Sequence, residues 1–244
     1  AARGGLGQKL HGDLRAEHVY CLDEGVRILD GVAFSDALAE GDPVEDVAFL
    51  VMDLTCAFGR WDLEEPLWRV TGLGAVDPGL RALYVANRAL VRAKVALLSG
   101  LREEAARFAL HALFRLEPPA ERPALVGVGG LPGVGKSTVA GQLERFLGFE
   151  VLRTDVVRKE GPVTYTPDAR DAVYAETFAR ARDLLRCGRR VVVDASFGAE
   201  RWRHPLLALG RSYGVPVSFL LCYAPERVVE DRLAKRRNDA SDAD

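Results

Sequence analysis

The sequence predicts an α/β protein in which a mainly helical half precedes a domain built on a parallel β-sheet. From residue 124 onward, short apolar runs alternate with helical patterns, which is typical of a parallel sheet covered by helices. Between 62 and 117 the apolar residues recur at helical spacing. Three prolines within 118–123 separate the two patterns. We therefore expect domains at 1–117 and 124–244, joined by a semi-rigid linker at 118–123.

The composition is that of an ordinary globular protein. Of the 244 residues, 48% are hydrophobic and 28% charged, and the net charge of −2 gives no reason to expect nucleic acid as a partner. Four widely spaced cysteines indicate reduced thiols and a cytoplasmic location. We find no membrane-spanning apolar run and no signal-peptide core. The chain begins at Ala1 without a methionine and stops in a polar run directly after a basic helix, so we expect a fragment of a longer protein. The oligomeric state stays open.

The first half opens with a predicted β-hairpin. Apolar runs at 19–22 and 26–29 are joined by Asp23-Glu24-Gly25, a typical hairpin turn. Asp13 lies just before the first strand and Asp30 just after the second, so the hairpin would bring two carboxylates together. Such a pair suits phosphoryl transfer, with one carboxylate near the acceptor hydroxyl and the other on a metal ion. The alternative is a pair of turn and capping aspartates.

This segment resembles the C-terminal lobe of the aminoglycoside phosphotransferase family. The resemblance rests on His11-Gly12-Asp13 followed by Asp30, then on Gly41-Asp42-Pro43 and Asp46-Val47-Ala48. It implies a partial protein-kinase-like C-lobe, with Asp13 as the catalytic aspartate and Asp30 as a metal ligand. It also implies that Asp42 and Asp46 are structural residues that cap a helix over about 44–58.

Two departures from that family lead us to expect an inactive first domain. His18 stands where the family has a metal-binding asparagine, and imidazole is a poorer magnesium ligand than an amide oxygen. The family's nucleotide-gripping N-terminal lobe would also precede residue 1.

Two helices are predicted after this segment, punctuated by Asp77-Pro78-Gly79 and Ser99-Gly100. We expect His111 to be a packed or solvated histidine, since it has no partner at metal-ligand spacing. The predicted apolar face consists of Leu80, Leu83, Tyr84, Leu90, Val91, Leu97 and Leu98 in the first helix, and of Leu101, Ala105, Phe108, Ala112, Leu113 and Leu116 in the second.

The most specific motif of the chain starts the second half. An apolar run at 125–128 predicts a buried strand, and Gly130-x-x-x-x-Gly135-Lys136-Ser137 follows it directly. A helix is predicted from Thr138 onward. Strand, glycine-rich turn and helix in this order indicate a phosphate-binding P-loop. The alternative is a glycine-rich turn that contains Lys-Ser-Thr by coincidence, which the spacing and the flanking elements disfavour.

Each residue type in this turn has a chemical purpose. The glycines allow positive φ, so that several N–H groups can converge on one anion. Lys136 would contact the β- and γ-phosphates, and the Ser137 hydroxyl would coordinate Mg²⁺. The expected cofactors are therefore ATP and Mg²⁺. The predicted nucleotide-binding residues are Gly130, Leu131, Pro132, Gly133, Val134, Gly135, Lys136, Ser137 and Thr138.

Further candidate residues follow the later strands, because parallel sheets place ligands at the carboxyl ends of their strands. After a strand at 150–153, Asp155 could take a proton from a substrate hydroxyl and Arg158 could hold an anionic group. Alternatively, Asp155 caps the next helix. A strand at 190–195 contains Asp194, which resembles a Walker B aspartate and would lie opposite Ser137 beside the metal.

The fourth strand, at 217–223, leads into a helix rich in arginine. Arg232 and Arg236 are four residues apart and so share one helical face. In a phosphoryl-transfer enzyme such a pair can neutralise charge on the migrating group. A solvated basic helix is the alternative.

Together, these features of 124–244 resemble small P-loop kinases of the AAA/Zeta-toxin-like group, which includes Zeta toxins, polynucleotide kinase domains and gluconate-type kinases. With the first half included, the chain resembles two-domain proteins described as bifunctional aminoglycoside phosphotransferase and ATP-binding protein. This implies an ATP-dependent kinase that phosphorylates a hydroxyl of an unidentified small molecule. The alternatives are a nucleotide-responsive ATPase or binding module without a dedicated acceptor, and a nucleic-acid 5′-hydroxyl kinase.

Overall fold

The computed structural model describes residues 8–32, 40–160 and 167–235. The chain divides into two compact units, Ala1–Leu116 and Glu117–Asp244. Within the described ranges, none of the helices combines the length and the hydropathy that a membrane span requires.

The first unit begins with short antiparallel strand pairs. Strand β1 (Gln8–Lys9) pairs with β4 (Glu40–Gly41), and β2 (Val19–Leu22) pairs with β3 (Gly25–Ile28). Leu22 lies opposite Gly25 at the tip, so the predicted hairpin is present and its second strand ends one residue earlier than predicted. A single 3₁₀ turn, Ala16–His18, precedes the hairpin.

Among the described residues of this unit, four α-helices follow: α1 (Val44–Cys56), α2 (Glu64–Val70), α3 (Pro78–Leu98) and α4 (Arg102–Leu116). A 3₁₀ turn, Trp61–Leu63, lies between α1 and α2. Helix α3 begins as its sequence dictates, because the Asp77 carboxylate accepts a hydrogen bond from Leu80 N and Pro78 occupies the first turn. The core is formed mainly by Val47, Ala48, Phe49, Val51, Met52, Trp68, Val85, Ala86, Ala89, Phe108 and Ala112.

The buried face of α3 differs from the predicted apolar face. Val85 and Ala89 are buried, whereas Leu83, Leu90 and Leu97 are 54%, 49% and 61% exposed. Helix α3 packs against both α1 and α4, and small side chains allow helix axes to approach closely. The alanine side of α3 therefore faces its neighbours, and the prediction based on the largest apolar residues was wrong there. In α4 the predicted Ala105, Phe108 and Ala112 are buried, but Leu113 and Leu116, as well as Leu101 just before the helix, are exposed.

A buried polar network joins three of these helices. The fully buried His111 ring lies 3.2 Å from Thr55 Oγ1. Arg115 donates to the same hydroxyl at 3.0 Å and to Glu64 Oε1 at 2.7 Å. His111 is thus a packed histidine, one of the two outcomes that the sequence allowed.

The second unit is a four-stranded parallel sheet with the order β6-β7-β5-β8. These strands are β5 (Ala124–Gly129), β6 (Glu150–Arg153), β7 (Arg190–Asp194) and β8 (Val217–Leu221). All four were predicted, with small differences at their ends. In the register, Val128 of β5 lies opposite both Asp194 of β7 and Leu220 of β8, so the carboxyl ends of three strands meet at one edge.

The helices of this unit are α5 (Lys136–Leu147), α6 (Thr154–Lys159), α7 (Pro167–Arg186), α8 (Glu200–Ser212) and α9 (Glu226–Ala234). Helix α8 is not among the predicted elements. It contains Pro205, a residue that normally argues against a helix interior. The core below the glycine-rich turn includes Val126, Val128, Ala140, Phe149 and Val192.

Candidate nucleotide-binding site

The predicted P-loop is a tight turn between β5 and α5. Gly130, Gly133 and Gly135 all adopt positive φ, at 140°, 79° and 104°. At two positions space also excludes a side chain. A Cβ on Gly130 would lie 2.6 Å from the Cys222 carbonyl oxygen, and one on Gly133 would lie 2.9 Å from Val229 Cγ1. Both the conformation and the close neighbours therefore require glycine.

Backbone hydrogen bonds hold this turn against the neighbouring strands. Gly130 N donates to Ser196 O at 3.2 Å, and Cys222 N donates to Gly129 O at 2.8 Å. The segments that follow β7 and β8 thus support the loop on both sides. Helix α5 begins at Lys136 directly after Gly135, which directs the amide groups of its first turn towards the loop.

The Lys136 side chain folds back along the loop. Its Nζ donates to the carbonyl oxygen of Leu131 at 2.9 Å, and Leu131 itself is 74% exposed. An ammonium group next to exposed loop backbone is well placed to attract a phosphate.

A short hydrogen bond joins the P-loop helix to β7. Ser137 Oγ donates to Asp194 Oδ2 at 2.7 Å, and the Asp194 side chain is only 5% exposed. The sequence placed these residues opposite each other, and the structure brings them into contact. Thr154 Oγ1 also donates to the Asp194 backbone carbonyl at 3.3 Å, which ties the start of α6 to the same strand end.

Opposing influences act on the pKa of Asp194. Burial raises this pKa, because the charged carboxylate loses hydration. The hydrogen bond from Ser137 and the positive charges of Lys136 and Arg153 act in the other direction, whereas the charge of Asp155 raises the pKa further. The net direction is upward, so a further cation beside Asp194 would stabilise its charged form.

Asp155 and Arg158 both lie in the short helix α6. Arg158 Nη2 is 3.7 Å from Asp155 Oδ1. The negative charge of Asp155 contributes to raising the pKa of both Asp194 and Tyr174. Arg153 holds the N-cap position of α6, so Asp155 is not the capping residue that the alternative required.

Arg232 reaches the loop from α9. Its Nη1 donates to the Gly133 carbonyl at 3.2 Å and lies 3.4 Å from where a Gly135 Cβ would be. The predicted partner Arg236 lies outside the described residues.

Two site residues were not predicted from the sequence. Arg153, the last residue of β6, donates from Nη2 to Ser137 Oγ at 3.1 Å. Tyr174 of α7 accepts a hydrogen bond from Phe197 N at 3.1 Å, and its hydroxyl lies 3.2 Å from Ser196 Oγ. It therefore supports the segment whose Ser196 carbonyl holds Gly130. The position of Arg153 at a strand's carboxyl end was an available signal, but a tyrosine inside a helix offered none.

The first unit contains a second cluster, around the His11-Gly12-Asp13 motif. Arg15 donates to Asp13 Oδ2 from Nη2 at 2.9 Å and from Nε at 3.1 Å. His18 Nε2 lies 3.5 Å from Asp30 Oδ2, and His18 Nδ1 lies 2.8 Å from the Asp13 carbonyl. The structure thus gathers both aspartates around His18. A guanidinium covers the Asp13 carboxylate, which opposes its use as an acceptor for a substrate proton.

The role of Asp46 differs from the prediction. Its carboxylate accepts hydrogen bonds from His11 N at 2.6 Å and Gly12 N at 2.8 Å, so it holds the turn of the motif and does not cap a helix. Asp42 supports the start of α1, because its Oδ1 accepts a hydrogen bond from Val44 N at 3.0 Å, but Pro43 holds the N-cap position itself. The reason is spatial: the first turn of α1 faces the His11-Gly12 backbone. Across the described parts of the chain, no group of three or more His, Cys, Asp or Glu residues is arranged to hold a metal ion.

Comparison with known proteins bears on the second unit. Residues 125–244 match the family model of an AAA domain. A segment of 86 residues, 35% of this chain, is 34% identical to a 2-phosphoglycerate kinase of Pyrococcus furiosus and covers 28% of that protein. The family-model match lies within the second unit, which also contains the P-loop. The resemblance of the first unit to aminoglycoside phosphotransferases stays a prediction.

A longer match involves nearly the whole chain. An uncharacterised protein of Mycobacterium tuberculosis is 34% identical over 256 aligned residues, which cover 96% of this chain. This chain spans about half, 51%, of that relative's length.

Among solved structures, an APS kinase of Mycobacterium tuberculosis in complex with AMPPNP and APS is 28% identical, with a TM-score of 0.42. That match covers 48% of this chain and 71% of the other. A sugar kinase from Janibacter is 21% identical, with a TM-score of 0.40 and coverage of 50% and 72%.

Proposed function

We propose that this chain is an ATP-dependent phosphotransferase whose second unit moves the γ-phosphate of ATP to a hydroxyl of a small molecule. The observation that carries the proposal is the 2.7 Å contact between Ser137 of the P-loop helix and the buried Asp194 of β7. A glycine-rich turn alone would explain anion binding. A hydroxyl and a carboxylate side by side at its edge add the ligands that a metal–nucleotide complex requires.

The residues present fit Mg²⁺. This ion prefers oxygen ligands and is usually held by one or two protein groups together with substrate phosphates. Ser137 Oγ and Asp194 Oδ2 are such oxygens, and they are adjacent. When bound there, Mg²⁺ would reduce the charge on the phosphates and orient them for in-line attack.

The remaining roles follow from position. Backbone N–H groups from Gly130 to Thr138 would surround the phosphates, and Lys136 would leave the Leu131 carbonyl for the β- and γ-phosphates. Arg232 already contacts the loop at Gly133 O, so its charge is placed to stabilise the migrating phosphoryl group. We assign Arg236 the same role on the basis of sequence spacing.

Asp155 and Arg158 would serve the acceptor. Asp155 directly follows Thr154, whose hydroxyl donates to the Asp194 carbonyl at 3.3 Å, and in this proposal it accepts the proton of the attacking hydroxyl. Arg158, 3.7 Å away, would hold an anionic group of the same molecule. We therefore expect an acceptor that carries both a hydroxyl and a negative charge.

The test is ATP-dependent phosphorylation of a panel of anionic and neutral small-molecule alcohols, with 5′-hydroxyl oligonucleotides included. We expect Lys136→Ala to reduce turnover at least roughly 100-fold.

Asp155→Ala should reduce the amount of phosphorylated product roughly 100-fold or more, while the ATP affinity measured by calorimetry stays unchanged. Full turnover in Asp155→Ala would show that the assigned base is wrong, and phosphorylation of the oligonucleotides alone would support the nucleic-acid kinase.

A second candidate function is a nucleotide-responsive ATPase or binding module without a dedicated acceptor. The contact of Arg232 with Gly133 O favours it, because it couples α9 directly to the P-loop. Slow ATP hydrolysis that no acceptor in the panel accelerates would support this function over the first.

A further inference from the structure

Arg153 stands out among the residues around the P-loop because of the two oxygens that it faces. It is the last residue of β6, and its Nη2 donates to Ser137 Oγ at 3.1 Å. Its Nε is 3.6 Å from Asp194 Oδ2. These are the oxygens to which the proposed function assigns Mg²⁺.

The contact with Arg153 limits how the Ser137 hydroxyl can bind a metal ion. Its proton points to Asp194, so only the lone pairs of Oγ remain available to other partners. Arg153 takes one of the two lone pairs, so a metal ion at Ser137 would have to share this small oxygen with the guanidinium.

The positive charge of Arg153 also opposes the binding of a metal ion at Ser137 and Asp194. The guanidinium is always protonated and lies beside the Asp194 carboxylate, which it partly neutralises. A divalent cation held by Asp194 and Ser137 would lie within a few ångströms of this positive charge, in a part of the site where Asp194 is only 5% exposed. Two cations so close together, with little water between them, repel each other strongly.

Lys136 contacts the backbone of the P-loop. Its ammonium group donates to the Leu131 carbonyl on the loop itself. The Arg153 side chain is 27% exposed, and its four rotatable bonds give it a path out of the site.

We propose that Arg153 competes with Mg²⁺ for Ser137 and Asp194, so that it sets the Mg²⁺ concentration at which the site accepts ATP. The guanidinium must turn away before the metal–nucleotide complex is fully bound, and it is then free to contact phosphate oxygens. This inference rests on the proposed function, since it requires that ATP binds with Mg²⁺ at this site.

The test is the binding of a fluorescent ATP analogue, at fixed protein and analogue concentrations, during a Mg²⁺ titration. We expect Arg153→Gln and Arg153→Met to lower the Mg²⁺ concentration for half-maximal binding roughly tenfold. Arg153→Lys keeps the positive charge and should stay closer to the wild type than either neutral variant. Arg189→Gln is the matched control, since Arg189 contacts Glu150 at the opposite end of the same strand and should behave as wild type.

Two outcomes would overturn the inference while the proposed function stands. One is the same half-saturating Mg²⁺ concentration in the wild type and the neutral variants. The other is a higher concentration in those variants, which would make Arg153 a partner of the bound metal complex. Thermal melting identifies any variant that does not fold, and either neutral variant is sufficient for the test. No binding of the analogue by the folded wild type at any Mg²⁺ concentration would overturn the proposed function, and this inference with it.

Discussion

Two ionisable side chains show how burial changes acid–base behaviour at the scale of single residues. Asp194 is 5% exposed, and burial raises its pKa, but Ser137, Lys136 and Arg153 all favour its charged form. Cys56 is completely buried in the first unit, and burial raises its pKa to about 12. The net pKa of Asp194 is nevertheless raised, so its charged form depends on these neighbouring groups, whereas Cys56 behaves as a small apolar side chain.

The Cys56 thiol predicts a loss of stability in alkaline solution. Its pKa rises from 9.0 to about 12 on folding, so above pH 9 the unfolded chain releases the thiol proton before the folded chain does. The folded state then binds more protons, and its stability falls as pH rises towards 12. Between pH 8 and pH 10 this effect should lower the free energy of unfolding by about 1 kcal/mol.

Urea denaturation at both pH values measures this effect. Cys56→Ala should show a decrease smaller by that amount, whereas Cys187→Ala, at an exposed thiol, should match the wild type. Identical pH dependence in the wild type and Cys56→Ala would contradict the argument.

At the scale of elements, two helix glycines have opposite significance. Gly210, near the end of α8, faces the chain that leads into β8. A Cβ there would overlap Val217 Cγ2 and lie 2.9 Å from Val215 O. Gly141, in the middle of α5, has nothing within 4 Å of the position of a Cβ. Gly210 is therefore required for packing, whereas Gly141 only weakens its helix.

We expect opposite effects from the same substitution at these sites. Gly210→Ala should reduce the free energy of unfolding by about 1–3 kcal/mol, because β8 must shift away from α8. Gly141→Ala should increase it by about 0.5–1 kcal/mol, because alanine loses less backbone entropy in a helix. Urea denaturation of both variants against the wild type measures the two changes, and a destabilised Gly141→Ala would contradict this reading of α5.

At the scale of the whole molecule, each unit has its own core. The helical cluster around Met52 and Trp68 belongs to the first unit, and the cluster around Val128 and Val192 belongs to the second. All pairings of the parallel sheet, and every described residue of the candidate nucleotide site, lie within 117–244.

The second unit should therefore fold and bind ATP by itself. We expect a protein of residues 117–244 to unfold cooperatively. It should bind Mg-ATP with a Kd within about threefold of that of the full chain, which corresponds to a difference in binding free energy of less than about 1 kcal/mol. Circular dichroism and calorimetry measure the two properties. The same fragment with Lys136→Ala is the control for specific binding. Failure of the fragment to fold, with a full chain that folds and binds, would show that the first unit is needed.

Local sequence determined the elements whose contacts are short-range. Gly130, Gly133 and Gly135 at their fixed spacing specify the P-loop turn, because each conformation follows from residues adjacent in the chain. The β2–β3 hairpin and the four parallel strands follow from apolar runs and turn residues in the same way. Asp194 could also be placed near Ser137, since the carboxyl ends of parallel strands share one edge of the sheet.

Only the tertiary structure decided which side chains contact each other when they are distant in the sequence. The alanine side of α3 is buried because two helices approach it closely, which no periodicity in α3 alone reveals. Asp46 holds the backbone at His11, 35 residues earlier, and Arg153 meets the hydroxyl of Ser137 at the end of another element. Sequence patterns encode local backbone preference and the side of an element that is apolar. Contacts between distant segments depend on how elements pack, and packing is a property of the folded chain as a whole.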